Sequence, residues 1–174
     1  MNLATNANCP VCCKEMQFHW ETLEVPYFGE SMVIAGVCSC GFRNSDTILL
    51  TQKEASRYTL EVTAVEDLDA RVIRSSSGTI RVPELGIDVE PGYASESYIS
   101  NVEGVLDRIE DIVAFATRSA REAGNMESTR RGEVILEKID LVRKGQFRLT
   151  FVIEDPLGNS AIASKKAVKS PLDV

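Results

Sequence analysis

From Met16 the apolar residues Met16, Phe18 and Trp20 alternate with Gln17, His19 and Glu21, the period-2 signature of a half-buried strand. Pro26-Tyr27-Phe28-Gly29-Glu30 interrupts the alternation with a turn, and Met32 to Val37 predicts the returning strand of a hairpin. Further on, Tyr58, Leu60 and Val62 alternate with Thr59, Glu61 and Thr63. Asp67-Leu68-Asp69 then turns the chain, Arg71 to Arg74 resumes a strand, Ser75-Ser76-Ser77-Gly78 turns again and Thr79 to Val82 resumes. One more short strand lies between Pro83 and the closing Pro91-Gly92. Strands this short, with turns between them, describe a sandwich or barrel.

The period then changes. Val102, Val105, Leu106, Ile109, Ile112, Val113 and Ala116 recur at helical spacing until Gly124, and Ser100 with Glu103 predicts a capping box at the start. A second helix is expected over 128–144, with Ile135, Ile139 and Val142 on one stripe and Gly145 after it. Strand alternation returns at Phe147, Leu149, Phe151 and Ile153, and Ser160 to Ala163 gives a last strand. A helical hairpin at about 100–144 is therefore inserted into a β domain spanning 57–164, preceded by a separate module over 1–50. Residues 1–8 are expected as a loose leader, 42–46 as a polar loop, 50–57 as the joint, and 165–174, with Lys165, Lys166 and Lys169, as a flexible tail.

The N-terminal module carries the chemistry. Cys9-Pro10-Val11-Cys12 precedes the hairpin and Cys38-Ser39-Cys40-Gly41 follows it, so two tight couples of thiols converge at one end, as a structural zinc ribbon requires. The candidate ligands of one Zn²⁺ are Cys9, Cys12, Cys38 and Cys40. The second couple is CxC rather than CxxC, and Cys13 is either a spare thiol or an alternative fourth ligand; the spare reading is preferred. A redox CxxC would need a helix N-terminus, whereas Cys13-Lys14-Glu15-Met16 leads into a strand pattern. Structural disulfides need an oxidising compartment, and Met-Asn-Leu-Ala-Thr-Asn has no signal-peptide character. A reduced, cytoplasmic setting is expected.

Net charge −7 and a sequence pI of about 4.9 set the chain against phosphate unless its basic residues cluster. Between Cys9 and Asp46 only Lys14 and Arg43 are basic, against Glu15, Glu21, Glu24, Glu30 and Asp46, which disfavours the alternative of a ribbon that binds RNA. No apolar run approaches the ~20 residues of a membrane-spanning helix. With one histidine, His19, no GxSxG elbow and no phosphate-binding loop, catalysis has no candidate residues.

Several separated segments together resemble the ZPR family of zinc-finger proteins: Cys-Pro-x-Cys, Glu24 to Glu30, Cys-Gly-Phe-Arg-Asn-Ser-Asp, Arg71 to Ile80, Pro83-Glu84-Leu85-Gly86 and Val102-Glu103-Gly104-Val105-Leu106. The likeness covers about residues 8–163. Relatives in eukaryotes carry two copies of a ribbon plus β-domain unit, and this chain looks like the archaeal single-unit form. The resemblance implies a double-stranded β-helix (jelly roll) with an inserted helical hairpin behind the ribbon. It also implies a non-catalytic adaptor or folding helper whose client is translation elongation factor 1-alpha. The expected client surface comprises Phe42 and Arg43 after the second cysteine couple, Glu84 and Leu85, and Ser100 and Glu103 at the helix start.

Overall fold

The computed structural model describes residues 2–26, 28–93 and 95–172, so Tyr27 of the expected turn lies outside the described residues. The chain divides into two compact units, 1–53 and 54–174. Among the described residues no helix is long and apolar enough to cross a membrane.

The first unit is one antiparallel sheet of β1 (Asn2–Asn8), β2 (Glu15–Val25), β3 (Gly29–Val37) and β4 (Arg43–Leu49), in that order. The alternation read from Met16 onward sets its register: Phe18 lies opposite Gly36 and Trp20 opposite Ile34. Two segments differ from expectation. Residues 2–8 are not a loose leader but pair with β2 along their whole length, and the Trp20 indole N–H donates to Thr5 Oγ1 at 2.7 Å. Residues 43–46 are not a loop but the start of β4, opposite β3. Residues Arg43 to Ile48 are all exposed, so β4 buries no face that would show as alternation; as an edge strand it is held by backbone pairing.

The second unit carries β5 (Ser56–Val62), a 3-10 turn at Val65–Asp69, β6 (Arg71–Arg74), β7 (Thr79–Val82), a 3-10 turn at Pro83–Leu85, β8 (Ile87–Val89) and β9 (Tyr98–Asn101). Helices α1 (Val102–Glu122) and α2 (Met126–Arg143) follow, then β10 (Leu149–Asp155), β11 (Ala161–Ala163) and β12 (Val168–Pro171). The strands form two antiparallel sheets, of order β12-β5-β10-β7-β8 and β11-β6-β9. Their inner faces meet in one apolar core that includes Leu60, Val72, Ile80, Val82, Phe151 and Ile153. The helices close the same core with Val102, Leu106 and Ile109 from α1 and Ile139 and Val142 from α2, on the stripes that the helical spacing marks, except that Ile112 of the expected α1 stripe is 64% exposed. This is the mainly β, jelly-roll architecture with an inserted helical hairpin.

The tail expected over 165–174 is corrected: Val168–Pro171 pairs with β5. Lys166 Nζ also donates to the buried Asp67 carboxylate at 2.6 Å, which accepts from the backbone N–H groups of Thr63 and Ala64 as well. The capping box is corrected too. Ser100 belongs to β9, and Asn101 caps α1, its Oδ1 accepting from Gly104 N at 2.9 Å. Where the helices cross, a Cβ on Gly132 would stand 1.9 Å from Thr117 Oγ1, so the close approach requires glycine. Arg143 ties the base of the hairpin by donating to Glu103, Asp107 and Glu110 at 2.7, 2.5 and 2.6 Å.

Ser75-Ser76-Ser77-Gly78 does more than turn the chain. The hydroxyls of Ser75 and Ser77, with that of Ser160, donate to the fully buried Asp155 carboxylate. Burial opposes its charge, yet these three hydroxyls and the Leu157 N–H hold the Asp155 carboxyl below the usual carboxylate range.

Candidate metal centre

The hairpin of β2 and β3 brings the two cysteine couples to one end of the ribbon. Two backbone knuckles then aim the thiols. In the first, Cys9 N donates to Lys14 O and Cys13 N to Cys9 O, both at 2.9 Å; in the second, Cys38 N donates to Phe42 O at 2.8 Å and Gly41 N to Cys38 O at 2.9 Å. Each knuckle turns its chain at a residue of positive φ, Gly41 at 92° and Cys13 at 58°. That conformation is free for glycine and costly for a residue with a Cβ. Cys13 thus occupies the position that Gly41 fills in the other knuckle, and its exposed thiol is outside the cluster.

The sulfurs of Cys9, Cys12, Cys38 and Cys40 all lie within 4.8 Å of one another. Cys9 Sγ is 3.7 Å from Cys40 Sγ, and Cys12 Sγ is 3.5 Å from Cys38 Sγ. Four sulfurs at a zinc–sulfur distance of about 2.3 Å stand about 3.8 Å apart along each tetrahedral edge, so the spacing and the soft donor set fit one zinc ion. Cys9 and Cys38 are buried against Met16, with Cys12, Phe18 and Phe42 packed around them. This apolar collar shields the buried pair from water.

The cluster ionises unevenly. A backbone hydrogen bond from Cys40 is the largest influence on Cys38 and, against desolvation, joins the neighbouring thiols in bringing it down to about 6. The backbone at Lys14 lowers Cys12, but desolvation and the three neighbouring sulfurs outweigh it and push Cys12 up to about 12. One thiolate forms readily, and further negative charge on sulfurs this close calls for a cation among them. When bound, Zn²⁺ supplies that charge and cross-links both knuckles; four protein sulfurs make a closed, structural site.

The residues expected to meet a partner are dispersed. Phe42 is half-buried against the cysteines rather than presented to solvent, while Arg43 is exposed at the start of β4. Leu85 is buried in the second unit's core, which removes it as a free contact. The Glu84 carboxylate accepts from Thr150 N at 2.9 Å and Thr150 Oγ1 at 2.7 Å, so it fastens the 3-10 turn to β10. Ser100 is half-buried in β9, and Glu103 is committed to Arg143. His19 is exposed on β2, away from the thiol cluster. Sequence reasoning missed the Ser75–Ser77–Asp155 cluster, whose only signal is the run of serines.

Comparison with known proteins agrees with this architecture. The family model for the ZPR1 jelly-roll domain matches residues 66–172. An uncharacterized ZPR1-like protein of Pyrococcus horikoshii is 43% identical over 169 residues, covering 94% of this chain and 74% of that one. A second ZPR1-like protein, from Methanocaldococcus jannaschii, is 37% identical over 158 residues, covering 89% and 78%. A protein of Schizosaccharomyces pombe named a zinc finger chaperone is 27% identical over 160 residues; these are 89% of this chain but 34% of that protein. With the family's own domain matched over more than half the chain and a relative this similar along most of both lengths, the chain belongs to the ZPR1 family.

Proposed function

We propose that the chain is a zinc-stabilised folding helper that acts by binding a protein client without catalysing a reaction, and that the client is translation elongation factor 1-alpha. In this reading Cys9, Cys12, Cys38 and Cys40 hold one structural Zn²⁺, Cys13 remains a free thiol, and the compartment is the cytoplasm, where thiols stay reduced. The ribbon of residues 1–50 and the β domain of residues 57–164 act as two modules, with the exposed Arg43 beside the metal centre on the client-facing side.

The observation that carries the reading is the coupling, in one chain, of a four-thiol cluster to the ZPR1 jelly roll. The same region is matched in a fission-yeast protein whose name states both a zinc finger and chaperoning. The ribbon's excess of acidic over basic residues supports a protein client over RNA.

The test is refolding of denatured elongation factor 1-alpha with and without this chain. A higher yield of GTP-binding factor, and a complex with the nucleotide-free factor that survives gel filtration, is the expected result. An unchanged yield with no complex, or binding of single-stranded RNA in its place, overturns the reading.

A further inference from the structure

Helix α2 borders a cavity of about 620 Å³ beside the 3-10 turn at Pro83–Leu85. Two rows at i, i+4 spacing face it: Met126, Arg130, Val134 and Lys138 in one, and Glu127, Arg131 and Ile135 in the other. Leu85 and Ile135 give it an apolar floor, and Met126 and Val134 remain 73% and 43% exposed at its wall. Its rim is cationic. Arg121 pairs with Glu133 and Arg143 with three carboxylates. Neither Arg130 nor Arg131, by contrast, has a carboxylate at ion-pair distance among the described residues. Lys138 is engaged, its Nζ donating to Glu84 O at 2.7 Å over the Phe147 ring, and Glu127 is the one acidic side chain among the described lining residues.

Two uncommitted guanidiniums beside an apolar slot, in a chain of net charge −7, form a local positive field whose complement is acidic and apolar together. Methionine and other aliphatic side chains at a groove wall suit the apolar stripe of an incoming helix. No aromatic side chain lines the cavity among the described residues, so it lacks the stacking platform that single-stranded nucleic acid uses. We propose that this groove docks an acidic amphipathic segment of a partner protein, with apolar side chains seated on Met126, Val134 and Ile135 and carboxylates on Arg130 and Arg131. The proposal names the chemistry of the docked segment and holds whichever protein carries it.

The test uses the full zinc-loaded chain and a fluorescein-labelled peptide of about four helical turns, with leucine at i, i+3, i+4 and i+7 and glutamate elsewhere; fluorescence anisotropy reads binding. The acidic peptide is expected to bind saturably and more weakly as salt rises, and a version with lysine in place of glutamate is expected not to bind. The double variant Arg130→Glu/Arg131→Glu weakens binding by about tenfold or more, since it sets like charges against the peptide. Met126→Ser weakens it severalfold through the apolar wall and gives a second readout should the double variant misfold. The idea is overturned by absence of saturable binding, equal binding of the lysine peptide or unchanged affinity in the variants. Displacement of the peptide by single-stranded RNA, or a groove closed by self-association in sedimentation, overturns it equally. Because no elongation factor is present in the assay, its failure leaves the client reading untouched, and failure of the refolding test leaves the groove untouched.

Discussion

Cys13 shows how one side chain can sit beside a metal centre without serving it. Its φ of 58° places a Cβ in the left-handed region at a cost of about 1 kcal/mol or more, and the thiol that carries this cost is exposed and outside the four-sulfur cluster. Replacement by the residue that the second knuckle uses at the equivalent turn removes the cost. Cys13→Gly is therefore expected to keep the chain's zinc content unchanged and to raise the stability of the ribbon by about 1 kcal/mol in chemical denaturation. A lost zinc or a destabilised ribbon would make Cys13 a ligand instead.

At the scale of elements, the final strand is fastened by a buried carboxylate. The Lys166 ammonium holds the Asp67 carboxyl down, and against the opposing effect of burial the Thr63 and Ala64 N–H groups help bring it from an ordinary 3.8 to about 2. A carboxyl depressed by folding contributes stability that is present above its unfolded value and disappears as pH falls through its folded value. Asp67→Asn is accordingly expected to cost about 1 kcal/mol near neutral pH, a modest figure because Lys166 is largely solvated. The difference from the parent chain should shrink between about pH 4 and about pH 2 in urea unfolding; a difference that does not vary with pH removes this account of how β12 is held. The same elements show what the sequence made legible. The inner strands β2, β5 and β10 and the core stripes of both helices bury a face, so their apolar spacing announces them. The edge strands β1, β4 and β12 are held by backbone pairing and polar ties, which leave no period in the sequence. Ser100 and Glu103 satisfy the capping-box pattern, but Asn101 sits one residue nearer the helix and takes the cap. The cysteine couples were legible because ligand spacing is fixed by the ion's geometry, whereas the groove on α2 depends on which arginines find carboxylates, and only the tertiary arrangement decides that.

At the scale of the whole molecule, a small sheet with four clustered thiols at one end is joined in sequence to a jelly roll with a substantial core of its own. Among the described residues the first unit buries a small cluster of Cys9, Met16 and Cys38 with partly buried neighbours, and Phe28 and Ile34 besides, while the second buries a larger connected set from Leu60 to Ile162. Metal binding, worth about 10–16 kcal/mol in comparable small zinc modules, is thus the term that makes the ribbon rigid, and chelation should melt it while leaving the second unit folded. Metal content together with ribbon structure, measured on the purified chain and on Cys13→Ser, Cys38→Ser and Cys40→Ser, tests this most directly. The account predicts one zinc per chain in the parent and in Cys13→Ser, with zinc and ribbon order lost in the other two and on chelation; a chain without zinc whose ribbon stays folded after chelation contradicts it.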